Sequence, residues 1–251
     1  MEAPFWKAFL FHNIVLYGRY FLFAGIAYLL FYVFFKNKWL HKKIQTKLPD
    51  GSQMRREIKD SIISIFIFSL VFLVIFFSNK FGYTKLYRNI DLMGYWYFVF
   101  SVPLMLFWHD TWFYWVHRLM HHPKIFKMVH RQHHLSHNPT PWTAFAFHPI
   151  EAVAEAGFVF IIFLVPVHPF CLLLVITWQM VFNVYGHMGF ELMSPKIHKS
   201  FIGKWFNTST HHNMHHRLTK GNYGLYFNFW DTVMKTNHPD YEKQFSDNAK
   251  K

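Results

Sequence analysis

The sequence predicts an all-α integral membrane protein, with about four transmembrane helices in hairpins and a cytoplasmic helical cap. Of its 251 residues, 53% are hydrophobic and only 16% are charged, whereas about 25% charged residues is typical of soluble domains. The apolar residues are gathered in runs that approach or exceed the length needed to cross a bilayer. Basic residues are concentrated in the loop after the first run, as is typical of cytoplasmic loops.

Five apolar runs form or share the predicted spans: 14–35, 61–77, 94–108, 156–167 and 170–185. The first is interrupted only by Gly18 and Arg19, and the third continues to Val116. The fourth run is too short to cross alone, because a spanning helix needs about 20 residues. We therefore predict that the last two runs form one hairpin, which turns at His168 and Pro169.

The loop 36–60 carries eight basic and three acidic residues, so the positive-inside rule places it in the cytoplasm. Counting spans from there predicts that residues 117–148 and the segment from Met188 onward lie on the same side. The net charge of +13 does not require a nucleic-acid partner, because no basic stripe or nucleic-acid motif accompanies it. The single cysteine, Cys171, excludes an internal disulfide and a cysteine-based zinc site.

Histidine is the most unusual component, with 19 residues and three clusters. We call the clusters box one (His117 and His121), box two (His130, His133 and His134) and box three (His212, His215 and His216). On a helix, residues three or four apart share a face. Imidazole is a common ligand of iron, zinc, copper and nickel. Eight imidazoles are too many for one ion, so the boxes predict a two-metal site rather than a low-complexity metal-binding tract.

Three stretches around the boxes resemble the fatty acid hydroxylase/sterol desaturase superfamily of membrane di-iron enzymes. They are residues 110–118 before and within box one, residues 139–149 after box two, and residues 207–216 followed by residues 222–231 in and after box three. The second stretch is similar to sterol C5-desaturases in particular. Phe145 departs from that pattern, since C5-desaturases would carry a histidine there. The matching region runs from about Trp108 to Thr236.

This resemblance implies nine iron ligands: His117, His121, His130, His133, His134, His187, His212, His215 and His216. His187 resembles a histidine that the family uses between its second and third boxes. The resemblance also implies two iron ions, O2, a lipid substrate and an external electron donor of the cytochrome b5 or ferredoxin type. Zinc is expected to replace iron in overexpressed protein. Hydroxylation and desaturation both remain open, as do sterol, fatty acyl and ether lipid substrates. Further ligation by His109, His137, His148 or His211 also remains open.

Asp110 precedes His117 and His121 by seven and eleven residues, so all three share a helical face. Metal-binding imidazoles usually donate their other N–H group to a carboxylate or carbonyl. Asp110 is therefore the leading candidate to orient a metal-bound histidine. Glu151 and Glu155 form another same-face pair and are weaker candidates.

These observations predict three regions: N-terminal membrane helices with the basic loop (1–93), a fatty acid hydroxylase-type catalytic domain (94–240) and a solvated polar tail (241–251). The expected location is the bacterial inner membrane or the endoplasmic reticulum. The alternative function is metal transport or metal binding. A transporter would place its histidines inside the spans near the midplane, whereas these boxes lie just beyond the apolar runs.

Overall fold

The computed structural model describes residues 4–251, and its regular structure is helical, as predicted. The α-helices within these residues are α1 Phe5–Tyr28, α2 Lys36–Trp39, α3 Gly51–Lys80, α4 Tyr95–Met120, α5 Pro123–Val129, α6 Arg131–His134, α7 Pro149–Ala156, α8 Pro169–His187, α9 Pro195–His198, α10 Ser209–Leu218, α11 Phe229–Val233 and α12 Tyr241–Lys250. A π-helix extends α1 over Leu29–Phe34, and 3₁₀ turns cover Leu40–Lys42, Ile90–Leu92, Pro141–Phe145, Gly157–Phe163 and Gly203–Trp205. The only β structure in the described chain is three isolated bridges.

Three helical segments are long and apolar enough to cross a membrane: Phe5–Phe34, Gly51–Lys80 and Pro169–His187. They expose large apolar side chains such as Phe11, which is 69% exposed, as expected of lipid-facing surfaces. The sequence predicted about four spans. The fourth long helix, α4, has 26 residues, but its Trp, Tyr and His residues make it less apolar than the other three.

The predicted hairpin between residues 156 and 185 has unequal arms. Helix α7 and the 3₁₀ turn Gly157–Phe163 form the first arm, and α8 forms the second. The first arm packs closely on α4, because a Cβ atom at Gly157 would lie 2.5 Å from the Trp112 ring. At the turn of the hairpin, Val167 bridges to Leu86 in the loop after α3. The hairpin therefore runs from the boxes to the opposite end of the bundle and back.

The basic loop lies at the same end of the bundle as the boxes. Lys43 bridges to Phe190 just after α8, and Gln45 donates a hydrogen bond of 2.9 Å to Asn213 inside box three. This arrangement agrees with the span count made from the sequence. The side of the membrane on which this end lies stays a prediction.

The C-terminal segment does not form the solvated tail that the sequence led us to expect. Residues 241–250 form α12, whose Tyr241, Phe245 and Ala249 are buried in a cluster with Met214 of α10. The Lys42 ammonium also donates to the Ala249 carbonyl at 2.6 Å. The apolar residues recur every four positions and so form one helical stripe. The division of the chain at residues 93 and 240 stays a prediction.

Candidate metal centre

The box histidines and His187 converge into two adjacent groups at one end of the bundle. Group one contains His117, His121, His130, His134 and His215. Group two contains His133, His187, His212 and His216. Within each group, one nitrogen from every residue lies within 4.8 Å of all the others. All nine residues for which the sequence predicted ligand roles are therefore brought together, including His187.

Boxes two and three each contribute to both groups, and helix geometry explains the division. His130 and His134 are four residues apart and point the same way, whereas His133 is turned about 100° from His134 and joins group two. In box three, the matching pair His212 and His216 enters group two, and the intervening His215 enters group one. Two ion sites are thereby formed from the same short segments.

The spacing of the nitrogens fits metal ligation. In group one, His134 Nε2 lies 3.1 Å from both His130 Nε2 and His215 Nε2. In group two, His187 Nε2 lies 3.0 Å from both His212 Nε2 and His216 Nε2. Two imidazole nitrogens bound about 2.0–2.1 Å from one ion would be separated by about 2.8–3.4 Å. Each group thus has the spacing expected of ligands that share an ion.

Hydrogen bonds at the outer nitrogens fix the orientation of several rings. His117 Nδ1 donates to the Tyr223 carbonyl at 2.8 Å, and His215 Nδ1 donates to the Gly221 carbonyl at 2.8 Å. His187 Nδ1 donates to the Asn183 carbonyl at 2.7 Å. Because a carbonyl can only accept, Nδ1 carries the hydrogen in these rings and the Nε2 lone pair points into the group. This tautomer is the form that ligates metal through Nε2.

Burial also favours the neutral, metal-binding form of the imidazoles. The histidines of both groups are buried except His121, which is partly buried. Burial lowers the pKa of His215 to about 4. Burial, together with neighbouring imidazoles, also holds the pKa values of His133 and His216 well below their usual range. At pH 7 these side chains are therefore uncharged.

The structure corrects the role expected for Asp110. Its Oδ1 atom accepts hydrogen bonds from the backbone N–H groups of Tyr226 and Phe227 at 3.1 and 3.2 Å, and no hydrogen bond joins it to a box histidine. Seven residues of helix separate Asp110 from His117 by about 10 Å along the axis, which is too far for a carboxylate to reach. Asp110 instead anchors the segment that carries the Tyr223 carbonyl.

Glu151 provides the carboxylate contact that had been expected of Asp110. Its Oε1 atom lies 2.7 Å from His130 Nδ1, and both side chains are 1% exposed. Asp231 supports His117 less directly, because its carboxylate accepts from the N–H groups of Tyr223 and Gly224. The sequence ranked Glu151 below Asp110 and did not single out Asp231, since both contacts depend on how the chain folds back.

The four histidines whose roles were left open lie outside both groups. His211 lies 3.6 Å from Asp231, and His109 lies 3.2 Å from the Tyr226 hydroxyl. His148 Nδ1 accepts from the N–H group of Ile150 at the start of α7. His137 is exposed.

A mainly apolar cavity of about 520 Å³ lies below the two groups, between α1, α3, α4, α7 and α8. Phe113 and Phe147 line it, and their ring centroids lie 5.0 Å from that of His117 and 5.1 Å from that of His133. Phe145, the position that departs from the C5-desaturase pattern, lines it as well. The cavity continues to the opposite end of the bundle, where the exposed Arg88 lines it.

Comparison with known proteins identifies relatives for most of the chain. A family model described as fatty acid hydroxylase matches residues 102–236. A delta(7)-sterol 5(6)-desaturase of Gibberella zeae is 31% identical over 219 residues, which cover 85% of this chain and 65% of that protein. The lathosterol oxidase of Homo sapiens is 31% identical over 86% of this chain and 70% of its own length. The lathosterol oxidase of Rattus norvegicus is 31% identical over 88% and 71%, respectively. No solved structure matches the chain.

Proposed function

The chain belongs to the fatty acid hydroxylase family, and from that premise we propose that it is an O2-dependent, two-iron enzyme that oxidises an unactivated C–H bond of a lipid. Its relatives are oxidoreductases that act on sterols, as their names state. Together with the membrane-spanning helices, this places the chain among membrane-bound lipid oxidases and desaturases. We propose that this chain uses iron, O2 and an external electron donor.

The observation that carries the proposal is the pair of adjacent histidine groups. Nine neutral imidazoles with converging Nε2 atoms would hold two ions, His117, His121, His130, His134 and His215 around one and His133, His187, His212 and His216 around the other. Imidazole suits iron and zinc alike, so the donor set fits iron without selecting it. Iron is favoured because, when bound, it supplies the redox chemistry with O2 and two electrons that imidazoles lack.

The protein itself positions the lipid and keeps water away. The cavity would take the apolar part of the substrate, and Phe113 and Phe147 would guide one carbon toward the two groups. Excluding water strengthens electrostatic interactions in the site and prevents side reactions. Hydroxylation and desaturation both begin by breaking a C–H bond, and the proposal covers both outcomes.

We further propose that the two groups face the cytoplasm, in the bacterial inner membrane or the endoplasmic reticulum. They share one end of the bundle with the basic loop 36–60, which the positive-inside rule assigns to the cytoplasm. Electrons would come from a cytochrome b5-type or ferredoxin-type partner on that side. Residues 94–240 would form the catalytic domain.

Metal transport is the competing function. A transporter would place its metal-binding histidines along a path near the membrane midplane. Here the groups lie at the end of the bundle, beyond the apolar part of α8, and an apolar cavity lies below them. This arrangement favours an enzyme.

The test uses protein purified without oxygen and loaded with iron. It would be incubated with membrane lipids, O2 and a cytochrome b5 or ferredoxin reducing system, and the lipids would be analysed by mass spectrometry. We expect products that gain one oxygen atom or lose two hydrogen atoms only when O2 and reductant are both present. Metal uptake into vesicles without any lipid product would refute the proposal.

A further inference from the structure

Arg19 is a charged side chain without a charged partner in the interior of the membrane bundle. It lies in the middle of α1 and lines the apolar cavity. One guanidinium nitrogen, Nη2, donates to the Ile176 carbonyl of α8 at 2.6 Å. Its Nε atom is buried and has no hydrogen-bond partner. No carboxylate within residues 4–251 approaches Arg19 to within 4.0 Å. A charge at this depth is costly, and such residues are usually functional.

The surroundings of Arg19 leave room for an anionic ligand. Gln179 lies one helical turn beyond Ile176 and also lines the cavity. Glu155 is the acidic residue of the cavity wall, but it follows by one turn the Glu151 that contacts His130, so it belongs to the metal end. The remaining lining around Arg19 is mostly apolar, including Leu16. The cavity therefore combines a fixed positive charge with space for a long apolar chain.

Helix α8 gives the distance between Arg19 and the metal groups. Arg19 contacts Ile176, and His187 of group two is eleven residues farther along the same helix. At about 1.5 Å per residue, the separation along the axis is roughly 16 Å. A fully extended backbone advances about 3.3–3.6 Å over three bonds, or about 1.2 Å per bond. The separation thus corresponds to about a dozen carbon–carbon bonds.

We propose that Arg19 binds the carboxylate of a long-chain fatty acid and so places a carbon about a dozen bonds away at the metal groups. The proposal rests on the function proposed above and specifies its substrate class. The planar guanidinium suits a carboxylate, which it can hold through two parallel hydrogen bonds. A sterol held at Arg19 by its ring hydroxyl would not fit, because carbons 5 and 6, where the fungal relative acts, are only a few bonds from that hydroxyl.

The competing explanation is that Arg19 only ties α1 to α8 through the Ile176 carbonyl. Binding measurements separate the two, and they need neither metal nor turnover. Purified full-length protein in detergent would be titrated with palmitate, methyl palmitate and lathosterol, for the wild type and for the Arg19→Gln and Arg19→Lys variants. Gln removes the charge but keeps an amide N–H donor, whereas Lys retains the charge.

We expect wild-type protein to bind palmitate at least about 10-fold more tightly than methyl palmitate. Arg19→Gln should weaken palmitate binding by about 10- to 100-fold, the range for a lost hydrogen bond to a charged group, and leave methyl palmitate unchanged. Arg19→Lys should retain a preference for palmitate. If Arg19→Gln fails to fold, two measurements still test whether Arg19 binds the carboxylate. They are the comparison of palmitate with methyl palmitate in the wild type and the same comparison in Arg19→Lys.

Equal binding of palmitate and its ester, or equal weakening of both by Arg19→Gln, would overturn the proposal. So would an acid preference that depends on Arg88 at the opposite end of the cavity, as shown by an Arg88→Gln variant. In the iron-loaded enzyme, oxidation next to the carboxylate would also contradict it. Palmitate binding that depends on Arg19 without any oxidation would instead contradict the proposed function and leave this binding site intact.

Discussion

Replacing Glu151 by Gln tests how the protein tunes its first histidine group. Within the described residues, Glu151 is the carboxylate that hydrogen-bonds to a histidine of either group, at 2.7 Å from His130 Nδ1. Such a contact orients the imidazole and increases its basicity, so it strengthens the bond to a metal ion. Gln keeps the size of the side chain and an oxygen that accepts a hydrogen bond, but it cannot carry the negative charge that a bound metal cation would favour on Glu151.

The size of the effect follows from that difference. Hydrogen bonds to charged groups contribute about 1.5–3 kcal/mol, and those between neutral groups about 0.5–1.5 kcal/mol. The change therefore costs about 1–1.5 kcal/mol, or roughly a tenfold loss of affinity for the ion in group one, at about 1.4 kcal/mol per factor of ten. This lies at the lower end of the 10- to 100-fold losses typical of such partners.

Asp110→Asn is the matched control. The Oδ1 atom of Asp110 accepts both of the hydrogen bonds that this side chain makes. Asn retains an oxygen atom at that position. We therefore expect its metal affinity to stay close to that of wild type. The assay is titration of the metal-free protein against a chelator of known affinity, which resolves two binding steps. Wild-type affinity at both steps in Glu151→Gln, or an equal loss in Asp110→Asn, would refute the reasoning.

Three further results are expected. Anaerobically purified protein should contain close to two metal ions, with zinc replacing iron on overexpression, and a single ion per chain would contradict the two-group site. His133→Ala should lower the metal content and abolish activity, while His41→Ala in the exposed basic loop should leave both unchanged; oxidation at the wild-type rate in His133→Ala would exclude group two from catalysis. Cysteine probes at the exposed positions Lys47 and Lys220 should react only from the cytoplasmic side, and opposite reactivity would overturn the span count.

The pH dependence of stability completes this set. Folding lowers the pKa of His215 from 6.5 to about 4, so below pH 6.5 the unfolded chain binds protons that the folded chain does not. The stability of metal-free protein should be complete above pH 6.5 and fall toward pH 4, by on the order of 3 kcal/mol from this residue alone. Thermal denaturation at pH 7 and pH 5 measures the effect, and equal midpoints would contradict it.

The sequence alone predicted the membrane helices, the family and the residues of the two groups. These features depend on local patterns: apolar runs such as 61–77, and histidines three or four residues apart on a helix. The convergence of boxes one and three could be inferred from coordination chemistry, because eight imidazoles at such spacing are expected to bind the same two-metal site. The assignment of His133 and His215 to different groups from their box neighbours needed the folded helices.

Asp110 and the C-terminal segment show where local patterns misled us. Asp110 shares a helical face with His117, but this did not imply contact. The two residues are separated along the helix axis by more than the length of an Asp side chain. Glu151 reaches His130 through a reversal of the chain that periodicity cannot reveal. In the last residues, the polar composition hid the recurrence of Tyr241, Phe245 and Ala249, which would have predicted a packed helix.

The composition of the two groups also determines when the site can form during synthesis. His117 and His216 are 99 positions apart, and each group needs histidines from both box two and box three. At about 5–20 residues per second, roughly 5–20 seconds pass between the translation of the first and the last of these residues. During that interval α8 must enter the membrane. Until box three is made, His117 and His121 of box one lack one of the other histidines of group one. A complete set of ligands for either ion is therefore available only after box three has been synthesised.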